Sequence, residues 1–211
     1  MGRLGLSVIR VKADHRLPDC CFVEDTAVVF GGKAVISYMG IGSRIHEPLE
    51  IRKVLADYKK ICFIKAPAAM EGGDVLKIGK KVYIGLSRRT NQYGIQQVRS
   101  FISEDGYRII PVKTENILHL KSACTYIGND VILLYPGHFD RGAFSRYTKI
   151  IVPKGEAYGA NCLSINGKVL VPKGFPHTKK LIENEGFETI VVEMSEFRKG
   201  DGSLTCLSVI F

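Results

Sequence analysis

A fourfold recurrence of one short pattern constrains this chain more than anything else in it. Residues 28–36, 76–84, 126–133 and 163–171 each read as two apolar strands around a Gly- or Asn-containing turn: Gly31-Gly32, Gly79-Lys80, Asn129-Asp130 and Asn166-Gly167. Apolar residues flanking such a turn specify a β-hairpin. The hairpins return at intervals of about 40 to 50 residues, the spacing of propellers and repeat arrays. Three of the intervals hold a helical segment, at 47–60, 90–103 and 176–185, while 137–149 is short and undecided. A β-rich run then closes each repeat, at 61–64, 107–110, 150–152 and 189–192. No linker or low-complexity stretch divides the chain, so 1–211 reads as one cyclic α/β domain.

At 211 residues the chain can bury a full core. The N-terminal residues run directly into strand-like sequence without the apolar core of a secretory signal, and no apolar run approaches the about 18 residues of a membrane span. The expected location is cytoplasmic, without a membrane partner. The formal net charge is +9, but Lys and Arg are spread along the chain rather than clustered as in most nucleic-acid binders. The six cysteines include no Cys-x-x-Cys pair and the five histidines are scattered, which argues against a structural zinc site.

Polar residues stand at corresponding places of the repeat. Glu24 and Asp25 precede the first hairpin, Glu71-Gly72-Gly73-Asp74 the second, His119 the third and Asn161 the fourth; Cys206 holds the matching place in the strand-like run 203–211. Equivalent positions of a cyclic repeat face one axis, so these groups are expected to converge. Glu24 and Asp25 also interrupt a run, 22–30, that otherwise reads as a buried strand. Strand neighbours point to opposite faces, and burying an unpaired carboxylate is costly. At least one of the two must therefore meet a cation: an Arg or Lys, a metal, or a cationic substrate.

A cysteine, a histidine and carboxylates at one centre suit covalent catalysis by a thiolate, with the histidine shuttling the proton. Several acids beside a thiolate fit a guanidinium, whose planar fork of donors matches carboxylates bidentately. Each residue alone has a plainer reading. Glu24 and Asp25 could pair with Arg44 or Arg89, His119 could be a satisfied core histidine, and Cys206 a small core hydrophobe. That all of these hold together at repeat-equivalent positions is a far less economical account.

The stretches Leu17-Pro18-Asp19-Cys20-Cys21-Phe22-Val23-Glu24-Asp25, Glu71-Gly72-Gly73-Asp74-Val75-Leu76, Gly85-Leu86-Ser87-Arg88-Arg89-Thr90-Asn91, Leu118-His119-Leu120-Lys121-Ser122 and Leu204-Thr205-Cys206 carry a resemblance. Together they resemble the dimethylarginine dimethylaminohydrolases, within the guanidine-modifying superfamily that includes the arginine deiminases. The resemblance implies a five-bladed αβ propeller (pentein) that hydrolyses a guanidino compound, most simply an Nω-methylated arginine, to citrulline and an amine through a thiouronium on the cysteine. It makes Cys206 the nucleophile, His119 the general acid/base and Glu71 its acidic partner. It makes Asp25 the acid that holds the guanidinium, with Asp19, Glu24 and Asp74 as further substrate-site acids. Arg44 and Arg89 would grip the amino-acid carboxylate. No metal or organic cofactor is implied, and the partner is a small guanidino amino acid acting on a monomer or homodimer. The family begins some tens of residues earlier, so an incomplete first blade and a missing lid are expected.

Lys121 follows His119 by two positions, where arginine deiminases generally carry an acid, which favours the methylarginine side. The alternatives are an arginine deiminase-like or other guanidine hydrolase, and a non-catalytic basic propeller that binds ribosome or RNA. The second has no use for Cys206, His119 and the acids together.

Overall fold

The computed structural model describes residues 1–140 and 142–211, and all four expected hairpins form. In the first repeat β1 (Ala27–Phe30) pairs antiparallel with β2 (Lys33–Ile36), α1 (Pro48–Ala56) follows, and β3 (Lys60–Phe63) returns parallel to β2. The second repeat is the same: β4 (Val75–Ile78), β5 (Lys81–Leu86), α2 (Gln92–Phe101) and β6 (Arg108–Lys113), with β6 parallel to β5. The third has β7 (Cys124–Gly128), β8 (Val131–Leu134) and β9 (Thr148–Ile151), with no helix among the described residues between β8 and β9. The fourth has β10 (Leu163–Ile165), β11 (Lys168–Pro172), α3 (Pro176–Asn184) and β12 (Glu188–Val192). The result is four three-stranded mixed sheets of one design.

Local chemistry explains these elements. In the last two hairpins both central turn residues have left-handed φ, 49° and 56° at Asn129 and Asp130, 47° and 81° at Asn166 and Gly167. That is the two-residue turn whose twist matches the flanking strands, and Asn, Asp and Gly tolerate it best. Asn91 caps α2 by accepting from the Gly94 N–H at 2.9 Å. α3 has no side-chain cap at its own N-cap residue, and the buried Glu156 substitutes by accepting from the N–H groups of His177 and Thr178 at 3.1 and 2.7 Å.

The chain forms two compact units. One comprises Val11–Leu120 and Cys206–Phe211 and holds the first two repeats. Its main core sets Phe30, Val35, Val82 and Ile84 against Ile95 and Val98 of α2, while Ile51 and Leu55 of α1 cover Ala27, Val29, Ala34 and Ile36 together with Val209 from the chain end. The other unit, Met1–Arg10 with Lys121–Thr205, centres on Ile127, Leu133, Val152, Val169, Val171 and Ile182.

Three segments depart from the sequence reading. Residues 23–26 are not strand: Val23–Thr26 forms a 3-10 turn closed by Thr26 Oγ1 donating to the Val23 carbonyl at 2.7 Å, and β1 starts only at Ala27. The strand alternation invoked for Glu24 and Asp25 therefore does not apply. The run 203–211 is not strand either, and Cys206 sits in the 3-10 turn Thr205–Leu207. Residues 1–10 contribute a 3-10 turn at Gly2–Leu4 and no strand. A short helix not foreseen, α4 (Ser195–Lys199), follows β12. Among the described residues no helix is long and apolar enough to cross a membrane.

Candidate active site

Three acids of the first compact unit lie at the turns that lead into its hairpins. Asp25 belongs to the 3-10 turn before β1, and Glu71 directly precedes and Asp74 ends the turn Gly72–Asp74 before β4. Both turns end by entering a strand, which fixes their direction. Packing between them is backbone against backbone. A Cβ on Gly72 would lie 2.0 Å from the Glu24 carbonyl oxygen, and one on Gly73 would lie 2.7 Å from Asp25 Oδ1 and from His119 Cγ and Nδ1. No side chain fits at either place, which is the physical content of Glu-Gly-Gly-Asp.

The cluster these turns build is buried. Glu71 is fully inaccessible, Asp25 and His119 nearly so. His119 Nε2 is 2.8 Å from Glu71 Oε2, and His119 Nδ1 is 3.8 Å from Asp25 Oδ1. Glu71 Oε1 accepts from the Gly40 N–H at 2.9 Å and from Arg89 Nη1 at 3.2 Å. Asp25 Oδ1 accepts from the Gly73 N–H at 3.1 Å, and Asp25 Oδ2 from Arg44 Nη1 at 2.9 Å. Burial pulls the His119 pKa down, but the Asp25 charge, the hydrogen bond to Glu71 and the Asp74 charge together outweigh it and raise it to about 9. Burial pushes Glu71 up, yet His119, Arg89 and the Gly40 N–H together hold it below the usual carboxylate range. At neutral pH the pair is thus an imidazolium against a carboxylate.

Arg44 pairs with Asp25, the plainer partner that the sequence offered. It is buried, and its guanidinium lies among acids: Nε 2.9 Å and Nη2 2.8 Å from Glu47 Oε2, Nη1 2.9 Å from Asp25, Nη1 3.8 Å from Glu71 and Nε 3.9 Å from Asp19. Glu47, which the sequence reading did not single out, is also buried, and desolvation raises its pKa in spite of Arg44. Its position three residues after Arg44 and just before Pro48 of α1 was the available signal. Asp19 lies at the rim, its side chain 44% exposed. Glu24 is half-buried beside the cluster. Asp74 bonds beside His119 rather than to it: Oδ1 accepts from the Leu120 N–H at 2.9 Å and Oδ2 from Ser87 Oγ at 2.6 Å. It therefore anchors the residue next to His119, and burial raises its pKa. Cys206 is half-buried and belongs to the same compact unit, which its segment rejoins after the whole of the other unit; three residues on, Val209 packs on the β1–β2 sheet.

Asp25, Glu71 and His119 each bring a donor atom within 4.8 Å of the others, near enough to share a metal ion. All four carboxylate oxygens, however, already accept from N–H groups, two of them guanidinium groups. A dication would have to displace or face these cations. The donor set suits a proton and planar N–H donors better than a metal.

The Arginine deiminase family model matches residues 15–157. The N(G),N(G)-dimethylarginine dimethylaminohydrolase of Pseudomonas aeruginosa is 34% identical over 208 residues, which are 98% of this chain and 82% of that protein. The chain belongs to the dimethylarginine dimethylaminohydrolase family. Among solved structures, the Pseudomonas aeruginosa dimethylarginine dimethylaminohydrolase in a cysteine-to-serine form complexed with citrulline superposes with a TM-score of 0.88 at 33% identity, over 94% of this chain and 78% of that one. A histidine-to-glycine form of a dimethylarginine dimethylaminohydrolase, in adduct with S-methyl-L-thiocitrulline, gives 0.90 at 34% identity, over 94% and 79%. Family and likeness together establish the αβ-propeller fold class expected from the hairpin repeat, of which the four sheets are the visible blades.

Proposed function

We propose that the chain hydrolyses a guanidino amino acid, most simply an Nω-methylated arginine, to citrulline and methylamine or dimethylamine. One observation carries this reading: the buried carboxylates beside His119 already hold a guanidinium, that of Arg44, 2.9 Å from Asp25 and 3.8 Å from Glu71. A site that accepts planar N–H donors at this position suits a substrate whose reacting group is the same fork. The relatives' names and the citrulline and thiocitrulline ligands of the similar structures support the same substrate class.

In this reading Asp25 and Glu71 take the substrate's N–H groups and fix the plane of its guanidinium. The Cys206 thiolate adds its electron pair to the guanidinium carbon. His119, charged at neutral pH, gives its proton to the leaving nitrogen as that C–N bond breaks, so the amine departs neutral and a thiouronium remains on Cys206. Neutral His119 then takes a proton from water. The hydroxide adds to the same carbon, the C–S bond breaks to restore the thiolate, and the added oxygen gives its remaining proton to solvent, so the ureido product leaves neutral. Arg89, with Arg44 once the substrate competes for Asp25, supplies positive charge for the α-carboxylate. Asp19 and Glu24 are assigned the α-amino group. No step draws on a metal or an organic cofactor.

The test is formation of ureido product from dimethylarginine, monomethylarginine, arginine and agmatine. Wild-type protein is expected to prefer a methylarginine, and Cys206→Ser to form no ureido product while keeping its circular dichroism spectrum. No product from any of the four guanidines refutes the proposal, and a preference for arginine reassigns the substrate.

A further inference from the structure

One buried carboxamide outside the cluster joins the two chain segments that deliver the nucleophile and the histidine. Asn161 lies just after the 3-10 turn Ala157–Ala160 and is almost completely buried. Its Nδ2 donates to the Lys121 carbonyl at 2.9 Å and to Thr205 Oγ1 at 3.0 Å, while its Oδ1 accepts from the Thr205 N–H at 3.1 Å. Lys121 is two residues past His119, and Thr205 directly precedes Cys206. The orientation of the amide is chemically forced. The Thr205 N–H can only donate, so it needs the oxygen, and the Lys121 carbonyl can only accept, so it needs the nitrogen.

The asparagine is itself held on both sides. Thr125 Oγ1 donates to the Ala160 carbonyl at 2.8 Å and accepts from the Cys162 N–H at 3.1 Å. The segment leading to Cys206 is tied a second time, where Tyr158 Oη donates to the Gly202 carbonyl at 2.7 Å, and Ser203 Oγ reaches the Asn161 carbonyl at 3.5 Å. Cys206 lies in a 3-10 turn rather than a strand, so no sheet ladder fixes it. The Asn161 side chain bonds the residue directly before it, at both the Thr205 N–H and the Thr205 hydroxyl.

Resting on the hydrolase reading above, we propose that Asn161 is a positioning residue for the reaction. It sets where the Cys206 sulfur lies relative to His119 by clamping Thr205 and the Lys121 carbonyl with one rigid group. The place requires a donor and an acceptor on one group, which a carboxamide supplies. A carboxylate has no hydrogen for the Lys121 carbonyl, and an aliphatic group leaves the Thr205 N–H and the Lys121 carbonyl without these bonds.

The experiment compares Asn161→Asp and Thr205→Val with wild type, by steady-state kinetics and by the rate of Cys206 alkylation by iodoacetamide across pH. A misplacement of about an ångström costs on the order of a hundredfold in rate. For Asn161→Asp kcat is expected to fall by about tenfold to a hundredfold with KM changed less than about threefold, and the alkylation profile to change shape. Thr205→Val removes the hydroxyl acceptor but keeps the N–H bond, and is expected to show the same effects more weakly, with Thr205→Ser retaining more activity than Thr205→Val. Folded Asn161→Asp with wild-type kcat and an unchanged alkylation profile overturns the proposal. If Asn161→Asp does not fold, Thr205→Val decides it by the same two readouts. Should wild-type protein form no ureido product, the hydrolase reading fails alone, because Cys206 alkylation still reports whether Asn161 governs the thiol.

Discussion

His119 gives the most quantitative test of the cluster, because its burial and the three acids around it act on it in opposite directions. Its pKa is raised from the ordinary 6.5 to about 9. A group that binds its proton more tightly in the folded state stabilises that state fully below the unfolded pKa, and the contribution is lost as pH rises through the folded value. The window for His119 is therefore about pH 6.5 to 9, with stability falling as pH rises. At about 1.4 kcal/mol per pH unit the interval corresponds to on the order of 3 kcal/mol, a large share of the 5–15 kcal/mol typical of a domain. The measurement is urea denaturation at pH 6 and pH 9.5 on wild type and His119→Gln. Other groups titrate in this range, so the quantity of interest is the difference between the two proteins. Wild type should lose on the order of 3 kcal/mol more than the variant across the window. An equal slope in both, or a wild type that gains stability toward pH 9, shows that the imidazole is not held charged between Asp25 and Glu71, and removes the protonated general acid from the mechanism.

Two further outcomes follow from contacts around the same cluster. Gly73→Ala places a Cβ 2.7 Å from His119 and Asp25; ring displacement should lower kcat/KM by about a hundredfold, as read by ureido product formation. Arg44→Met leaves Glu47 buried without its partner and should cost about 3–5 kcal/mol in urea denaturation. Because burial already raises the Glu47 pKa, that cost should shrink toward pH 5 as the carboxyl takes up a proton, and a pH-independent cost would contradict the pairing.

The hairpins were readable because each is specified locally: two apolar strands and a turn whose Asn, Asp or Gly accepts left-handed φ. The site positions were readable for a related reason. Asp25, Asp74 and Asn161 each lie one or two residues before the first strand of a hairpin, so the repeat that gave the sheets also gave the register of the polar groups. What failed were the short turns. Val23–Thr26 sits between Phe22 and a true strand, and four residues are too few to show a period. Cys206 lies in an apolar stretch whose turn is stabilised by Asn161, 44 residues from Thr205 in sequence, which no local pattern records. Glu47 escaped because its role exists only through the buried Arg44 beside it.

The contacts of Gly72 and Gly73 reach beyond the packing they explain. Two more glycines stand in the same relation to the cluster: a Cβ on Gly40 would meet the Arg89 Cα at 2.9 Å, and one on Gly85 would meet Asp74 Oδ1 at 2.6 Å. The outline of the cluster is thus written in residues that carry no functional group. An acid here has isosteric substitutes that preserve shape while changing charge; a glycine whose side-chain place is already filled by a neighbour has none. Descendants of this scaffold can trade one carboxylate for another group and acquire a new preference among guanidines, while the glycines stay as the fixed lettering around them.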